Sequence, residues 1–369
     1  MDQKHYRMAV ALRHALHRHP ELSMHEAWTK RRLMDFLREN TRLELFDGGH
    51  WFCAFCRGRS DQPPVAFRAD MDALPIHEPP DLVPYASQVP GVGHKCGHDG
   101  HSAALAAFAL ELDAHGAGRD IYLLFQHAEE TGQGAAECTA FLRERQVSEI
   151  YAFHNLPGLP LGAVAAPDGV AQYASTGMIV HFQGLESHAS YPEQGRNPAF
   201  AVSETVLALP TLTAHSRGFS LVTVIQVDIG ERAFGTSAGS GDLLLTLRAE
   251  FEEELDQLRH TLEDLAREKA EKYGLTVSFA YEDPFPETFN HHQNVEKVRA
   301  AASRLGIPLA PMGERFRASE DFGCFTKEIP GAIFYLGDGD SPPLHSVEFD
   351  FPDQLIAIAA DMFMELARS

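Results

Sequence analysis

The chain has no surplus of positive charge: 31 lysines and arginines stand against 52 aspartates and glutamates, a formal net charge of -21. Binding to nucleic acid relies on cationic side chains replacing counterions along phosphates, so this balance, with no basic stripe, excludes a polyanion partner. Cysteine is scarce, and the five present (Cys53, Cys56, Cys96, Cys138 and Cys324) are odd in number and widely spread. That pattern reads as reduced thiols, not as a disulfide framework. No apolar run approaches the roughly 20 residues that a membrane span requires, so no membrane association is expected. The opening Met-Asp-Gln-Lys-His-Tyr-Arg lacks a basic segment followed by an apolar block and a small-residue cleavage site, and a cytoplasmic location is the expectation. Internal repeats and low-complexity segments are also missing.

What is there is the composition of a globular protein, 44% hydrophobic and 22% charged. A length of 369 residues is long for one ordinary domain and short for three, which predicts a main domain with a second, smaller module. The 20 histidines are the unusual feature, although many, among them His14, His17 and His19, are expected at the surface.

Apolar spacing predicts helices over residues 4–18 and 25–40, with His19-Pro20-Glu21-Leu22-Ser23 as the break. Strands follow at 51–56 and 65–68, a helix at 102–112, a strand at 121–125, a helix at 135–144 and a strand at 150–153. This alternation predicts an α/β fold with a mostly parallel sheet flanked by helices, in which ligands sit at the carboxyl ends of strands. From about Tyr173 the character changes to an α+β module, with strands at 179–182, 221–229, 243–249 and 276–281 and helices at 198–209 and 252–273. The prolines of Asp283-Pro-Phe-Pro-Glu287 suit a linker. A helix at 292–305, a strand at 332–336 and a helix at 352–366 resume the first style. The expected organisation is thus residues 1–172 and 283–369 as one domain, with 173–282 inserted into it. Cys53 and Cys56 have redox spacing, but residues three apart in a strand face opposite sides, so the two thiols diverge.

Four segments carry chemistry. Gly93-His-Lys-Cys-Gly-His-Asp-Gly-His101 places Cys96 and His98 two residues apart in a glycine-rich loop, where sulfur and nitrogen can converge on Zn²⁺ or a similar ion. Taken alone, it equally fits a loop with one buried cysteine and solvated histidines. Gln126-His-Ala-Glu129-Glu130 sets adjacent carboxylates after a strand, so that one can bind metal while the other serves as general base. A solvated charge pair starting a helix is the plain alternative. His154 immediately follows the predicted strand at 150–153, and His345 lies in Leu344-His-Ser-Val-Glu-Phe-Asp-Phe351. Three of the four segments follow strands of one predicted sheet, so their convergence needs no contrived topology.

Together with His17-Arg-His-Pro-Glu-Leu-Ser23, Arg68-Ala-Asp-Met-Asp-Ala-Leu-Pro75, His154-Asn-Leu-Pro157 and Ser319-Glu-Asp-Phe322, these segments give the chain a nearly end-to-end resemblance. It resembles the M20 metallopeptidase family, and within it the aminoacylase-like amidohydrolases related to hippurate and indoleacetyl-amino-acid hydrolases. The resemblance implies a zinc-peptidase-like catalytic domain with an inserted lid that mediates homodimers. It implies two divalent metals, zinc or manganese first and cobalt or nickel as further options, held by Cys96, His98, Glu130, His154 and His345. Glu129 would be the acid/base that acts with a metal-bridged water on an N-acyl-amino acid or a dipeptide. His188, in Ser187-His-Ala-Ser190, would polarise the substrate carbonyl. Asp70 and Asp72 would orient the ligands, and Arg248 would meet a substrate carboxylate; capping of the following turn, and an ordinary ion pair, are the respective alternatives.

Two positions depart from the family pattern. Gly235, in Phe234-Gly-Thr-Ser-Ala238, stands where the lid usually carries an asparagine, and His127 replaces the proline common before Ala-Glu-Glu. The rival activities are a dipeptidase or aminopeptidase on the same metals and a metal-binding dimer without turnover.

Overall fold

The computed structural model describes residues 1–213, 216–312 and 317–369. The chain forms two compact units, one of Met1–Ala171, Thr288–Phe316 and Glu320–Ser369, the other of Gln172–Glu287 and Arg317–Ser319. In chain order the first unit begins with helices α1 (Gln3–Arg18) and α2 (Ala27–Asn40) and strands β1 (Glu44–Asp47), β2 (Phe52–Cys56) and β3 (Val65–Asp70). Helix α3 (His98–His115), strand β4 (Ile121–Gln126), helix α4 (Ala135–Glu144) and strands β5 (Glu149–Leu156), β6 (Val164–Ala165) and β7 (Gly169–Gln172) follow. The second unit holds β8 (Ala174–Gln183), β9 (Ser187–His188), α5 (Ala199–Leu212), β10 (Ser220–Ile229), β11 (Thr236–Ser237), β12 (Ser240–Ala249), α6 (Glu252–Lys272) and β13 (Thr276–Phe285). The first unit resumes with β14 (Thr288–Asn290), α7 (His292–Arg304), the short α8 (Gly323–Thr326), β15 (Gly331–Gly337) and α9 (Gln354–Leu366).

The large sheet has the order β1-β2-β4-β3-β5-β15-β6. Its four inner strands β4, β3, β5 and β15 are parallel, and antiparallel pairs close both flanks. This is the expected α/β architecture. Strands β3, β4 and β15 are buried along their whole length, as continuous apolar runs must be when helices cover both faces of a sheet. Helix α3 is buried from His98 to Leu112, which its alanines permit: they favour the helix and let neighbouring backbones come close on every side. Cys53 and Cys56 join different apolar clusters, in line with their opposite orientations in β2, and all five cysteines are free.

Three boundaries differ from the sequence expectation in ways that matter. Helix α3 starts at His98 instead of Ser102, because Gly97 takes the left-handed conformation (φ 104°) and turns the chain directly into the helix. Strand β5 runs on to Leu156 by pairing with the end of β15, so His154 lies inside a strand and not beyond it. The proline stretch expected as a linker is partly strand: β13 continues to Phe285 through a bulge, with Asp283 at φ 46°. It is an edge strand, where a proline that lacks an N–H breaks no ladder.

The second unit's sheet, β10-β12-β8-β13, is antiparallel throughout. Strict alternation in β12 turns Leu243, Leu245 and Leu247 toward Leu255, Leu258 and Leu262 of α6. A separate two-stranded ladder pairs β9 with β11 and sets His188 opposite Thr236. Among the described residues, no helix is long and apolar enough to cross a membrane.

Candidate metal centre

Gly97 is the pivot of the site. A β-carbon there would sit 2.4 Å from Asn155 Oδ1, so only glycine allows the turn that sends Cys96 and His98 to one side. Cys96 Sγ lies 3.5 Å from His154 Nε2. The His154 ring donates from Nδ1 to the Asn155 carbonyl at 2.7 Å, which leaves the Nε2 lone pair facing the sulfur. His98 Nδ1 faces Asp72 Oδ1 at 3.1 Å, and its Nε2 lies 3.7 Å from both Glu129 Oε2 and Glu130 Oε1. Glu130 Oε2 is 3.7 Å from His345 Nε2. Ligating atoms gather within 4.8 Å in the overlapping sets Cys96/His98/His154, Cys96/Glu130/His345 and His98/Glu129/Glu130. The structure therefore brings together all five candidate ligands and Glu129.

The cluster is overloaded with anionic donors. Burial, then the Glu130 and Glu129 charges, push the Cys96 thiol well above its ordinary value. Burial raises the Glu130 carboxyl to about 7, and burial with the Glu320 and Glu130 charges drives Glu129 well above the carboxylate range. Burial would lower His98, but Asp70 and Asp72 outweigh it and bring the imidazole up to about 10. His98 Nε2 and Glu130 Oε1 are buried without a hydrogen-bond partner. Unpartnered nitrogen and oxygen beside a thiol form the mixed donor set that suits divalent transition ions, so these residues fit a metal pair.

From residue 66 to residue 369 the sequence matches Peptidase family M20/M25/M40. This chain belongs to that family. It is 29% identical to the N-acetylcysteine deacetylase of Bacillus subtilis (strain 168), over 99% of this chain and 97% of that protein. Identity to the N-acetyldiaminopimelate deacetylase of Shouchella clausii (strain KSM-K16) is also 29%, over 95% of each. A solved Bacillus subtilis structure, a dinuclear metal-binding peptidase from the M20 family, superposes with a TM-score of 0.85 at 26% identity, covering 99% of this chain and 98% of that one. The M20 chain is accordingly an enzyme, a metal-dependent hydrolase of amide bonds.

Behind the donors of this M20 site lies a buried polar layer. Asp72 Oδ2 accepts from the Glu130 N–H at 2.9 Å and from Ser23 Oγ at 2.7 Å. Asp70 faces His101 Nδ1 at 2.7 Å, and His101 Nε2 faces Asn155 Oδ1 at 2.7 Å. The Arg68 guanidinium binds Asp70, Gln126, Glu320 and Asp321 at 2.8 to 2.9 Å. Arg68, His101, Glu320 and Asp321 lie in segments that carry the family resemblance, but the resemblance assigns these four no role. Their signal was chemical: charged residues inside strand-like or alanine-rich apolar stretches need buried partners.

His17, expected at the surface, is fully buried. Its Nδ1 faces Asp99 at 2.8 Å and its Nε2 faces Glu78 at 3.0 Å, because helix α1 turns the Arg13–His17 face into the molecule. His127 stacks on His50 at 5.3 Å between ring centroids and lies 3.5 Å from Glu137.

The remaining candidates belong to the second unit. His188 is exposed, and its Nδ1 accepts the Ser190 N–H at 3.1 Å, which puts the ring proton on Nε2. Arg248 donates to the Arg317 carbonyl at 2.6 Å and to Ser319 Oγ at 2.7 Å, with no acidic partner among the described residues. Space around Gly235 is open to at least 4 Å, and the neighbouring Phe234 is 94% exposed.

Proposed function

We propose that this enzyme hydrolyses the amide that joins an acyl group to an amino acid, at two divalent cations held by Cys96, His98, Glu130, His154 and His345. The observation that carries this reading is the overlap of two donor sets at Cys96, with the Glu129 carboxylate beside them. Ions bound there would lower the pKa of an attacking water and offset the charge that grows on the carbonyl oxygen. Zinc or manganese suits these donors, and cobalt or nickel is compatible with them. Glu129, 3.7 Å from His98 at the edge of the donor set, takes the proton from the water and returns it to the departing amine. Asp72 holds His98 and the Glu130 backbone in place. The relatives' names, deacetylases of N-acetylcysteine and N-acetyldiaminopimelate, support an N-acylated amino acid as substrate.

The second unit serves as lid and dimerisation module. Closure brings the Nε2–H of His188 to the substrate carbonyl, and Arg248, free of any described acid, receives the substrate carboxylate. Strand β10 is a sheet edge with Ile225 61% and Val227 46% exposed, a surface that a second copy of the chain would cover by strand pairing. Free thiols throughout support a cytoplasmic location.

The test is a panel of acetyl-, benzoyl- and indoleacetyl-amino acids against dipeptides with a free amine. Higher kcat/KM on the N-acyl series is expected. Turnover confined to the free-amine dipeptides would replace this reading with a dipeptidase.

A further inference from the structure

We propose that Lys95 is a positioning residue for the metal centre, fastening the 345–349 turn so that His345 is held in reach of Cys96 and Glu130. The inference rests on the metal reading above. His345 is the odd donor of the set: its side chain is 52% exposed, whereas Cys96, His98 and His154 are buried. Its backbone is left-handed, at φ 62°, a conformation that costs a non-glycine residue energy and needs external restraint. Leu344 and Phe349 pack against the core on either side of it, which does not by itself hold the His345 peptide.

Lys95 does, from both ends of the turn. The His345 N–H donates to the Lys95 carbonyl at 2.8 Å, and Lys95 Nζ donates to the Phe349 carbonyl at 2.9 Å. The same residue directly precedes Cys96, which shares a donor set with His345. One residue thus sets two donors at once, one through the chain and one through the clamp.

The lysine is itself anchored. It is fully buried and its ammonium pairs with Glu78. Glu78 also takes the Ser87 N–H at 2.5 Å and faces His17 Nε2 at 3.0 Å, while His17 faces Asp99 of the first turn of α3. Both nitrogens of His17 face carboxylates, so both donate. The turn at 345–349 is in this way tied through Lys95, Glu78 and His17 to α1 and to the start of α3. An apolar side chain of similar size would fill the space without the desolvation of two charges, and the ammonium adds what an apolar group cannot, a donor for Phe349.

The experiment compares the full-length enzyme with Lys95→Met, Lys95→Arg and the double variant Lys95→Met/Glu78→Gln, which strands no carboxylate. Zinc per subunit is measured after gel filtration in zinc-free buffer, zinc affinity by chelator competition, and kcat/KM at trace and at excess zinc. Wild type is expected to retain two ions. Lys95→Met and the double variant are expected to keep one and to bind the second about 10- to 100-fold more weakly. Their activity at trace zinc falls accordingly and returns with excess zinc, and Lys95→Arg lies between. Should Lys95→Met fail to fold, the double variant reads the same quantity. Folded variants that hold two ions with unchanged affinity would overturn the inference alone, even if they melt earlier. Wild type retaining fewer than two ions would overturn the metal reading and this inference with it.

Discussion

The Glu130 N–H donates to Asp72 Oδ2 at 2.9 Å, while the other oxygen of the same carboxylate faces His98 Nδ1 at 3.1 Å. One buried carboxylate therefore aims an imidazole and a stretch of backbone that meet in the His98/Glu129/Glu130 donor set. Removing it frees both. Asp72→Ala is expected to weaken metal binding about 10- to 100-fold in a chelator competition. Unchanged affinity would show that the two donors hold their geometry without it.

Arg248 and His188 are assigned different steps, and kinetics separates them. Arg248→Met is expected to raise KM for N-acyl-amino acids with kcat changed little, and to leave an N-acyl amine without the carboxylate unaffected. His188→Ala is expected to lower kcat by about 10² to 10³, the usual loss for one oxyanion donor. Identical profiles for the two variants would contradict both roles.

A charge placed on the outer face of β10 disfavours strand pairing between copies. Ile225→Glu is expected to shift the protein from dimer to monomer in sedimentation or light scattering, with the melting transition of each unit retained. A wild-type monomer, or a variant that stays dimeric, would move the interface elsewhere.

The acid limb of the stability curve reports on Glu78. Burial alone would raise this carboxyl, but hydrogen bonds and charge from His17 and Lys95 prevail and bring it from 4.5 to about 2. A carboxyl depressed in the folded state contributes stability that is present above its ordinary value and lost as the pH falls through the folded one. Denaturant titrations of metal-free wild type and Glu78→Gln are therefore expected to differ most above pH 4.5 and to converge as the pH falls toward 2. A gap independent of pH would contradict the pairing.

Much of the fold was legible because the strands of the parallel sheet are apolar runs bounded by polar turns, and Ile121–Gln126 and Gly331–Gly337 are unambiguous in any reading. The donors were legible as residue types at strand and helix ends. The layer that positions them was not. His17 looks like a surface residue in sequence, and nothing local reveals that Glu320 and Asp321 lie 252 and 253 residues further on against Arg68, or that Glu78 faces His17 across 61 residues. The start of α3 at His98 escaped the apolar periodicity because its first turn is histidine, aspartate and glycine, buried for the site and not for the core. The extension of β13 through Pro284 escaped it because edge position is a property of the assembled sheet.

The central claim is that Glu129 carries the proton of amide hydrolysis at a two-metal site. It is tested most directly by kcat of Glu129→Gln at full metal occupancy, because the amide keeps the shape of the side chain and removes its basicity. The expected result is a fall of about 10² to 10⁴ in kcat with both ions still bound. A variant that retains both ions and turns over within a few-fold of wild type would contradict it.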